Sequence, residues 1–414
     1  MVHTVVEHFE LNDQGDYHDL YLWTNFLALA ACMESMRRGW RKNCGLDLLK
    51  CITLPSASYQ AMLKMTGVRM ELICEGAGAG MPLMEALNDN VRGGASCIFQ
   101  PYAKANNPRV LPKYPEKPII PQKVHESIRK GHDVEWDKIP DEYIEWCKKE
   151  GYNWEEELSW IIYIDANSLY PTTMCMPLPL SDYEAVVDNI AVDDVKKILS
   201  DYTDDSKRGY LIEVDFFVPE HLHDTFDYAP VSKRVSDPSE LSQHQHGIGE
   251  LLGCAKPSVK LIPHLSEHTK ELYHAGLLKF WVEMGVVITK VHRVWTYRQD
   301  TWMAEYILGM ACKRAASNDP VEKEVIKKAI NSLYGKVLQD KTTQRNMIPY
   351  TCARKFVRAV SRANCMNYTI IQMDANGLGF FGLVETSKKG GVLLDMPRAV
   401  GFSVLDTSKL LMLR

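Results

Sequence analysis

The sequence predicts an α+β fold, in which strands and helices are mixed along the chain. Two observations carry this prediction. Short apolar or alternating runs, which are typical of strands, occur at 160–164, 210–218 and 286–297. Longer runs with apolar residues three and four positions apart, which are typical of helices, occur at 17–45, 301–317 and 321–338.

Length and composition indicate a globular protein of two or three domains. The chain has 414 residues, of which 46% are hydrophobic and 24% are charged. Its net charge of −5 gives no overall attraction to nucleic acid, so such contacts must come from local basic patches. The eleven cysteines include no C-x-x-C pair, and no apolar run approaches the roughly 18 residues of a membrane span. We therefore expect an intracellular protein, of the cytoplasm or nucleus, that has reduced thiols and no membrane partner.

The stretch 160–171 is an apolar run that ends at a single carboxylate. Residues 160–164 are predicted to form a buried strand with Asp165 at its tip. A buried carboxylate is costly unless it is paired or binds a cation. Ser168 favours a turn that brings Tyr170 over the same position. Two interpretations are open here: a cation site, or a strand-to-helix turn in which Asp165 only caps the helix.

A second stretch, 327–335, has a helical pattern with three functional side chains on one face. Lys327, Asn331 and Tyr334 stand at positions i, i+4 and i+7. A cation, an amide and an aromatic ring on one stripe suit a triphosphate, a sugar edge and a base.

Together the two stretches resemble motifs of the family B DNA polymerases. Segment 165–171 (Asp-x-x-Ser-Leu-Tyr-Pro) resembles motif A, and segment 327–335 (Lys-x-x-x-Asn-Ser-x-Tyr-Gly) resembles motif B. The flanking sequence is most similar to the protein-primed branch, found in Polinton-like elements and linear DNA viruses. The resemblance implies an antiparallel palm, helical fingers and a remnant of an exonuclease domain.

The same resemblance implies a division of the chain into five parts. They are an exonuclease remnant with its linker, a Pro-rich charged insertion, a palm with an insertion, the fingers, and a palm continuation that stops before motif C. Their expected ranges, in that order, are 1–107, 108–156, 157–300, 301–340 and 341–414.

The reaction implied by the resemblance is template-directed DNA synthesis, which transfers a nucleotide from a dNTP to a primer hydroxyl. Asp165 would be the catalytic metal ligand and the Ala166 carbonyl would face the same ion, expected to be Mg²⁺. Tyr170 would close over the sugar and exclude a 2′-hydroxyl. The expected partners are template and primer DNA, a dNTP and a terminal priming protein.

Motif B and its neighbours would hold the nucleotide. Lys327 would pair with the triphosphate, while Asn331 and Tyr334 would frame the nascent base pair. Arg314, in the first of the two helices predicted at 301–338, would assist Lys327, or it lies on a solvated face.

Two further groups of residues are candidates for contacting DNA. Arg92, Gly93 and Gly94 resemble a family loop that touches the template strand, although a simple turn explains the glycines equally. A second group recurs every four residues and predicts either a phosphate-contact stripe or a solvated helix face. Its members are Arg354, Arg358 and Arg362.

Two family motifs are incomplete in this sequence. Asn25 stands where the third exonuclease motif has a metal-binding aspartate, so we expect no 3′-to-5′ exonuclease activity. Motif C, Tyr-x-Asp-Thr-Asp-Ser, is missing, because the segment at Asp406 lacks the second aspartate and has helical spacing. Two interpretations stay open: an incomplete chain of an active polymerase, or a polymerase relic that binds nucleic acid without catalysis.

Overall fold

The fold is described from a computed structural model of the chain. The described residues are 8–9, 11–73, 80–94, 102–106, 141, 145, 149, 159–186, 190–226, 228–236, 241–253, 257–341, 346–373, 379–386 and 394–414. Contacts divide the chain into two units, Met1–Ala95 with Ser168–Arg414, and Ser96–Asn167. The insertion predicted at 108–156 lies outside the described residues, apart from positions 141, 145 and 149.

The described helices and strands all belong to the first unit. The helices are α1 (Gln14–Cys44), α2 (Leu54–Thr66), α3 (Gly80–Asn90), α4 (Leu169–Met174), α5 (Val192–Asp201), α6 (Gln243–Leu251), α7 (Ala275–Glu283), α8 (Ala304–Ala316), α9 (Pro320–Val337), α10 (Ala353–Val360) and α11 (Arg398–Leu413). The strands are β1 (Leu178–Val186), β2 (Arg208–Phe217), β3 (Val231–Ser236), β4 (Ser258–Pro263), β5 (His268–His274), β6 (Val287–Asp300), β7 (Asn346–Tyr350), β8 (Cys365–Met373) and β9 (Phe380–Thr386).

Every strand pair in the described residues is antiparallel, which confirms the predicted α+β class. The central sheet has the order β1-β6-β2-β5, β3 and β4 form a hairpin, and a small sheet has the order β7-β9-β8. None of the helices in the described part of the chain is long and apolar enough to cross a membrane.

Alternation along β2 gives the central sheet two apolar faces. Leu211 is fully buried against α3 and the first turns of α11. Its neighbour Ile212, with Val214, is buried on the opposite face against α5 and α7. A sheet covered by helices on both faces is a rigid base for the parts of the chain that follow its strands.

The two helices α8 and α9 form a pair held in place from one side. They are joined by only three residues, so α9 returns along α8. Asp319 caps α9 by accepting a hydrogen bond from the Val321 amide at 2.9 Å. The hydroxyl of Ser58, on α2, lies 2.8 Å from the Tyr306 hydroxyl and donates to the Ala329 carbonyl at 2.9 Å. One buried side chain thus fixes both helices.

Helix α1 is packed only in its C-terminal part. Trp40 is buried beside α2 and α9, and the helix ends at Gly45 with a φ of 65°, a value that favours glycine. Residues 20–33 carry no charge, and nearly all of them are exposed, with Trp23 at 62% and Phe26 at 60%. Tyr21 and Asn25, in the exonuclease-like segment, are among the exposed residues.

The prediction of a buried strand at 160–164 is wrong. These residues are extended but unpaired within the described ranges, and their exposure runs from 50% at Trp160 to 95% at Tyr163. They belong to the second unit, where the Ser159 amide donates to the Asn106 carbonyl at 3.1 Å. An apolar run is buried in a sheet only when neighbouring strands pair with it, and the run itself does not specify those neighbours.

Candidate active site

A cavity of about 520 Å³ opens between α4, α8 and α9 in the first unit. The α4 side contributes Ser168, Pro171, Thr172 and Cys175, and the buried position of Cys175 raises the pKa of its thiol. The two other helices provide a wall that is apolar at its base and cationic at its edge. The residues from α8 are Ile307, Leu308, Ala311, Arg314 and Ala315, and those from α9 are Lys323, Lys327, Ile330 and Asn331.

Three cationic side chains line this cavity. Lys323 and Lys327 are one helical turn apart on α9, with Asn331 one turn further, and Arg314 approaches from α8. None of the described lining residues is acidic, and none of the three cations forms an ion pair within the described ranges. Cations that no carboxylate neutralises give the cavity a positive potential, which suits a polyphosphate.

Lys328 shows that position on α9 decides which lysines reach the cavity. Its ammonium lies 3.6 Å from the Glu324 carboxylate, one turn earlier on the helix, and it is not among the lining residues. Lys327, the preceding residue, lines the cavity. The two neighbours are therefore a natural pair of test and control positions.

The chain enters α4 through a residue in a left-handed conformation. Ser168 has φ 56° and ψ 39°, which costs a non-glycine residue on the order of 1 kcal/mol. Its carbonyl accepts hydrogen bonds from the Thr172 amide at 2.9 Å and from the Thr172 hydroxyl at 3.0 Å. These two bonds hold the turn that starts α4 at the wall of the cavity.

Two of the predicted nucleotide-binding residues stack on each other beside the cavity. The rings of Tyr170 and Tyr334 are nearly parallel, at an angle of 7°, with centroids 4.0 Å apart. Burial, together with the neighbouring Tyr334, raises the pKa of the Tyr170 hydroxyl. Tyr170 precedes the lining residue Pro171, so the stacked pair lies at the edge of the cavity rather than in its wall.

Asp165 and Ala166 are exposed residues of the second unit. They offer one carboxylate and one main-chain carbonyl, which are the hard oxygen donors that suit Mg²⁺. This ion takes one or two carboxylates and completes its shell with water and substrate phosphates. No group of three His, Cys, Asp or Glu side chains in the described ranges is arranged to hold a metal ion alone. The donors fit Mg²⁺ that arrives with phosphates.

Arg92 does not have the position that a phosphate contact requires. It is 2% exposed, its guanidinium pairs with Glu271, and it stacks 4.2 Å from the centroid of the Tyr273 ring. This side chain fastens the end of α3 to β5, so the predicted DNA contact is corrected to a structural role. Gly93 and Gly94, next in the chain, are exposed with open space around them.

The predicted arginine stripe lies on a described helix. Arg354 and Arg358 are exposed on α10, and Arg362 is exposed just after its C-cap. They are not residues of the cavity, so the structure separates the predicted phosphate contacts into two places.

Lys323 is the lining residue that the motif alone did not identify. It stands four residues before Lys327, so helical periodicity places it on the same face. The signal was present in the sequence, but a helix has a charged face in most proteins, and only the cavity distinguishes the two cases.

Comparison with known proteins gave matches in solved structures and a family, and none among curated proteins. The phi29 DNA polymerase in an orthorhombic crystal form is 12% identical with a TM-score of 0.43, covering 87% of this chain and 45% of that chain. The same polymerase complexed with primer-template DNA and incoming nucleotide substrates is 15% identical, with a TM-score of 0.42 and coverages of 87% and 44%. The chain thus spans less than half the length of these polymerases.

The family match covers the part of the chain that holds both motifs. Residues 149–349 match the model of DNA polymerase type B, organellar and viral, and this range includes segments 165–171 and 327–335. The match confirms the family to which the two motifs pointed. Residues 149–349 of this chain therefore belong to the organellar and viral type B DNA polymerases.

Proposed function

We propose that the chain is the nucleotide-binding part of a DNA-directed DNA polymerase and that a dNTP binds in the cavity between α4, α8 and α9. One observation carries the proposal: Arg314, Lys323, Lys327 and Asn331 line a single cavity inside the range that matches the polymerase family. The family supports DNA and dNTP as partners. The flanking sequence extends the proposal to a primer hydroxyl carried by a priming protein.

The proposed reaction is an in-line phosphoryl transfer. The primer hydroxyl oxygen attacks the α-phosphorus, the bond to the bridging oxygen breaks, and pyrophosphate leaves. Lys327, Lys323 and Arg314 orient the triphosphate and offset the charge that gathers on the leaving group. Mg²⁺ bound by Asp165 and Ala166 supplies Lewis-acid stabilisation of the phosphate oxygens.

The stacked tyrosines serve sugar and base selection in this proposal. The Tyr170 ring excludes a 2′-hydroxyl because it occupies the space beside the sugar. Tyr334 offers a face against which a base stacks, and it stands one turn after Asn331 and Ile330, both of which line the cavity.

The test is nucleotide binding by single-lysine variants. Lys327→Ala and Lys323→Ala each remove a charge-assisted contact worth about 1.5–3 kcal/mol, so dNTP affinity should fall by roughly tenfold to a hundredfold. Lys328→Ala is the matched control, because its ammonium is paired with Glu324 and does not line the cavity. Titration with a fluorescent dNTP analogue and Mg²⁺ gives the affinities. Equal losses in all three variants would reject this cavity.

A second candidate function is a polymerase relic that binds nucleotides without extending a primer. The observation that favours it is the engagement of the aspartates that might have completed a metal pair. Asp215 accepts a hydrogen bond from the His292 ring at 2.7 Å, Asp395 pairs with Lys341, and Asp406 is 1% exposed on α11. The two candidates are separated by primer extension.

A further inference from the structure

A small helix-on-sheet module lies between α9 and α11. The sheet β7-β9-β8 carries α10 on one face, where Phe356 and Ala359 are buried with Phe380 and Val384 of β9. Gly382 makes this contact possible, because a Cβ at that position would stand 2.6 Å from the Phe356 ring. The inner face of α10 is therefore fixed against the sheet.

The outer face of α10 carries cations that have no acidic partner. Arg354, Lys355 and Arg358 are exposed on the helix, and Arg362 is exposed immediately after it. Within the described ranges none of the four lies within 4 Å of a carboxylate oxygen. Unpaired cations grouped on one face create a positive patch on a chain whose net charge is −5.

Other arginines of the same unit are paired, which makes this face distinctive. Arg37 lies 2.6 Å from Asp47, Arg293 lies 2.6 Å from Glu213, and Arg398 lies 3.0 Å from Asp340. In those places the guanidinium charge is used within the protein. On α10 it remains free for an external anion.

The spacing of the arginines suits a repeating anion. Four residues of helix rise about 6 Å, so Arg354, Arg358 and Arg362 form a row of regularly spaced guanidiniums. Each guanidinium can grip a phosphate with two parallel hydrogen bonds. A nucleic-acid backbone presents phosphates at regular intervals, so it can occupy several members of the row at once.

The buried inner face argues against a membrane surface as the partner. Amphipathic basic helices bind membranes by placing their apolar face among the lipids. On α10 that face, with Phe356 and Ala359, is already covered by the sheet. Only the charged face and the partly exposed Val357 are available, which favours a polyanion that is recognised by charge alone.

We propose that the outer face of α10, formed by Arg354, Lys355, Arg358 and Arg362, binds the phosphodiester backbone of a nucleic acid without regard to sequence. It is a second anion site, built from other elements than the dNTP cavity. The inference goes beyond the proposed function, because this face would bind DNA whether or not the chain extends a primer.

The test is the salt dependence of DNA binding by the full chain. The triple variant Arg354→Gln/Arg358→Gln/Arg362→Gln should bind a fluorescent 20-nucleotide single strand at least roughly tenfold more weakly at moderate salt. The slope of log affinity against log salt should become shallower by about 2 for a single strand and about 3 for a duplex. Where the triple variant does not fold, Arg358→Gln alone should make the slope shallower by about 0.7 to 0.9.

A matched control separates this face from the overall charge of the chain. Lys196→Gln/Lys197→Gln/Lys207→Gln removes three exposed cations from α5 and the segment after it. This variant should retain the affinity and the salt slope. Equal losses in both triple variants, or unchanged slopes in the arginine variants, would overturn the proposal.

Two further measurements distinguish this proposal from the others. The arginine variant should keep its affinity for the fluorescent dNTP, so a failure of the dNTP cavity would leave the DNA result interpretable. Vesicles of phosphatidylcholine with about one-third phosphatidylglycerol should compete poorly with the DNA probe. Strong vesicle binding that disappears in the arginine variant, with DNA binding retained, would assign the face to membranes and reject the proposal.

Discussion

The side chains Tyr170 and Tyr334 meet although 163 positions of sequence separate them, as their numbers show. Their parallel rings, with centroids 4.0 Å apart, gain a stacking energy of about 0.5–1.5 kcal/mol beyond their burial. A base that stacks on Tyr334 must replace this contact with one of similar strength. In the proposed function, the stack therefore keeps the sugar and base region ordered before a nucleotide arrives.

His268 is a residue whose burial makes stability depend on pH. It is 1% exposed, it stacks on Phe216 and His264, and its Nε2 donates to the His264 carbonyl at 3.0 Å. Burial, with smaller contributions from His264, Arg92 and Arg234, lowers the pKa of His268 to about 3 from its ordinary 6.5. The ring is therefore held neutral in the folded protein.

The sign of the pH effect follows from this lowered pKa. Between pH 6.5 and about 3 the unfolded chain binds a proton at His268 that the folded protein does not bind. We predict that the free energy of unfolding falls as pH decreases below 6.5, by up to about 1.4 kcal/mol per pH unit from this group. Urea unfolding at pH 7 and pH 5 measures the change.

Two variants isolate the contribution of His268. His268→Phe keeps an aromatic ring in the stack and removes the titrating group, so it should reduce the loss of stability between pH 7 and pH 5. His244→Phe, at an exposed position on α6, is the control and should leave that loss as it is in the parent. The same pH dependence in the parent and in His268→Phe would contradict the assignment.

Single residues of the site differ in how far the sequence could place them. Lys327 and Asn331 share a helix face by periodicity alone, and the structure brings both to the cavity wall. Arg92 could not be placed in this way. Its burial depends on Glu271 and Tyr273 of β5, which are far away in the sequence. Local patterns fix the partners of a residue only when those partners are local.

At the scale of elements, helices were predicted well and one strand was not. The helices predicted at 301–317 and 321–338 are α8 and α9, because periodicity and the Asp319-Pro320 start signal act within one segment. The run 160–164 has the composition of a buried strand, but no described strand pairs with it. A strand is completed by its neighbours, so its sequence describes only half of the requirement.

The contact between α10 and β9 yields an element-scale prediction. Gly382→Ala places a methyl group 2.6 Å from the Phe356 ring and 3.0 Å from the Phe380 ring, in a packed interface. We expect it to destabilise the protein by about 1–3 kcal/mol through overpacking. Gly247→Ala, on α6 with open space around it, is the control and should be neutral or stabilising by up to about 1 kcal/mol. Thermal or urea unfolding measures both, and equal effects would show that α10 does not pack as described.

At the scale of the whole molecule, the chain's catalytic competence is the property to test. Two-metal transfer needs carboxylates on both sides of a metal pair, and Asp165 is the one that motif A supplies. The other candidates are engaged: Asp215 with His292, Asp395 with Lys341, and Asp406 with Lys409 and the His274 amide. We therefore predict that residues 1–414 bind dNTP but do not extend a primer.

The measurement is extension of a labelled primer on a template with Mg²⁺ and dNTPs, together with dNTP binding under the same conditions. Binding without extension is the expected result. Robust extension that Asp215→Asn, Asp395→Asn or Asp406→Asn abolishes would contradict it and would identify the second metal ligand. Asp165→Asn, applied to any extension that is seen, tells whether motif A takes part.

The exposed apolar stretches, 20–33 on α1 and 160–164, have a colloidal consequence. Large uncovered apolar areas promote association between molecules, and a net charge of only −5 on 414 residues opposes it weakly. Added salt screens even that repulsion, while low salt strengthens the binding of polyanions to α10. Ionic strength therefore acts on two properties in opposite directions: conditions that keep the chain dispersed also favour its retention on DNA, and conditions that release DNA favour clustering of the protein.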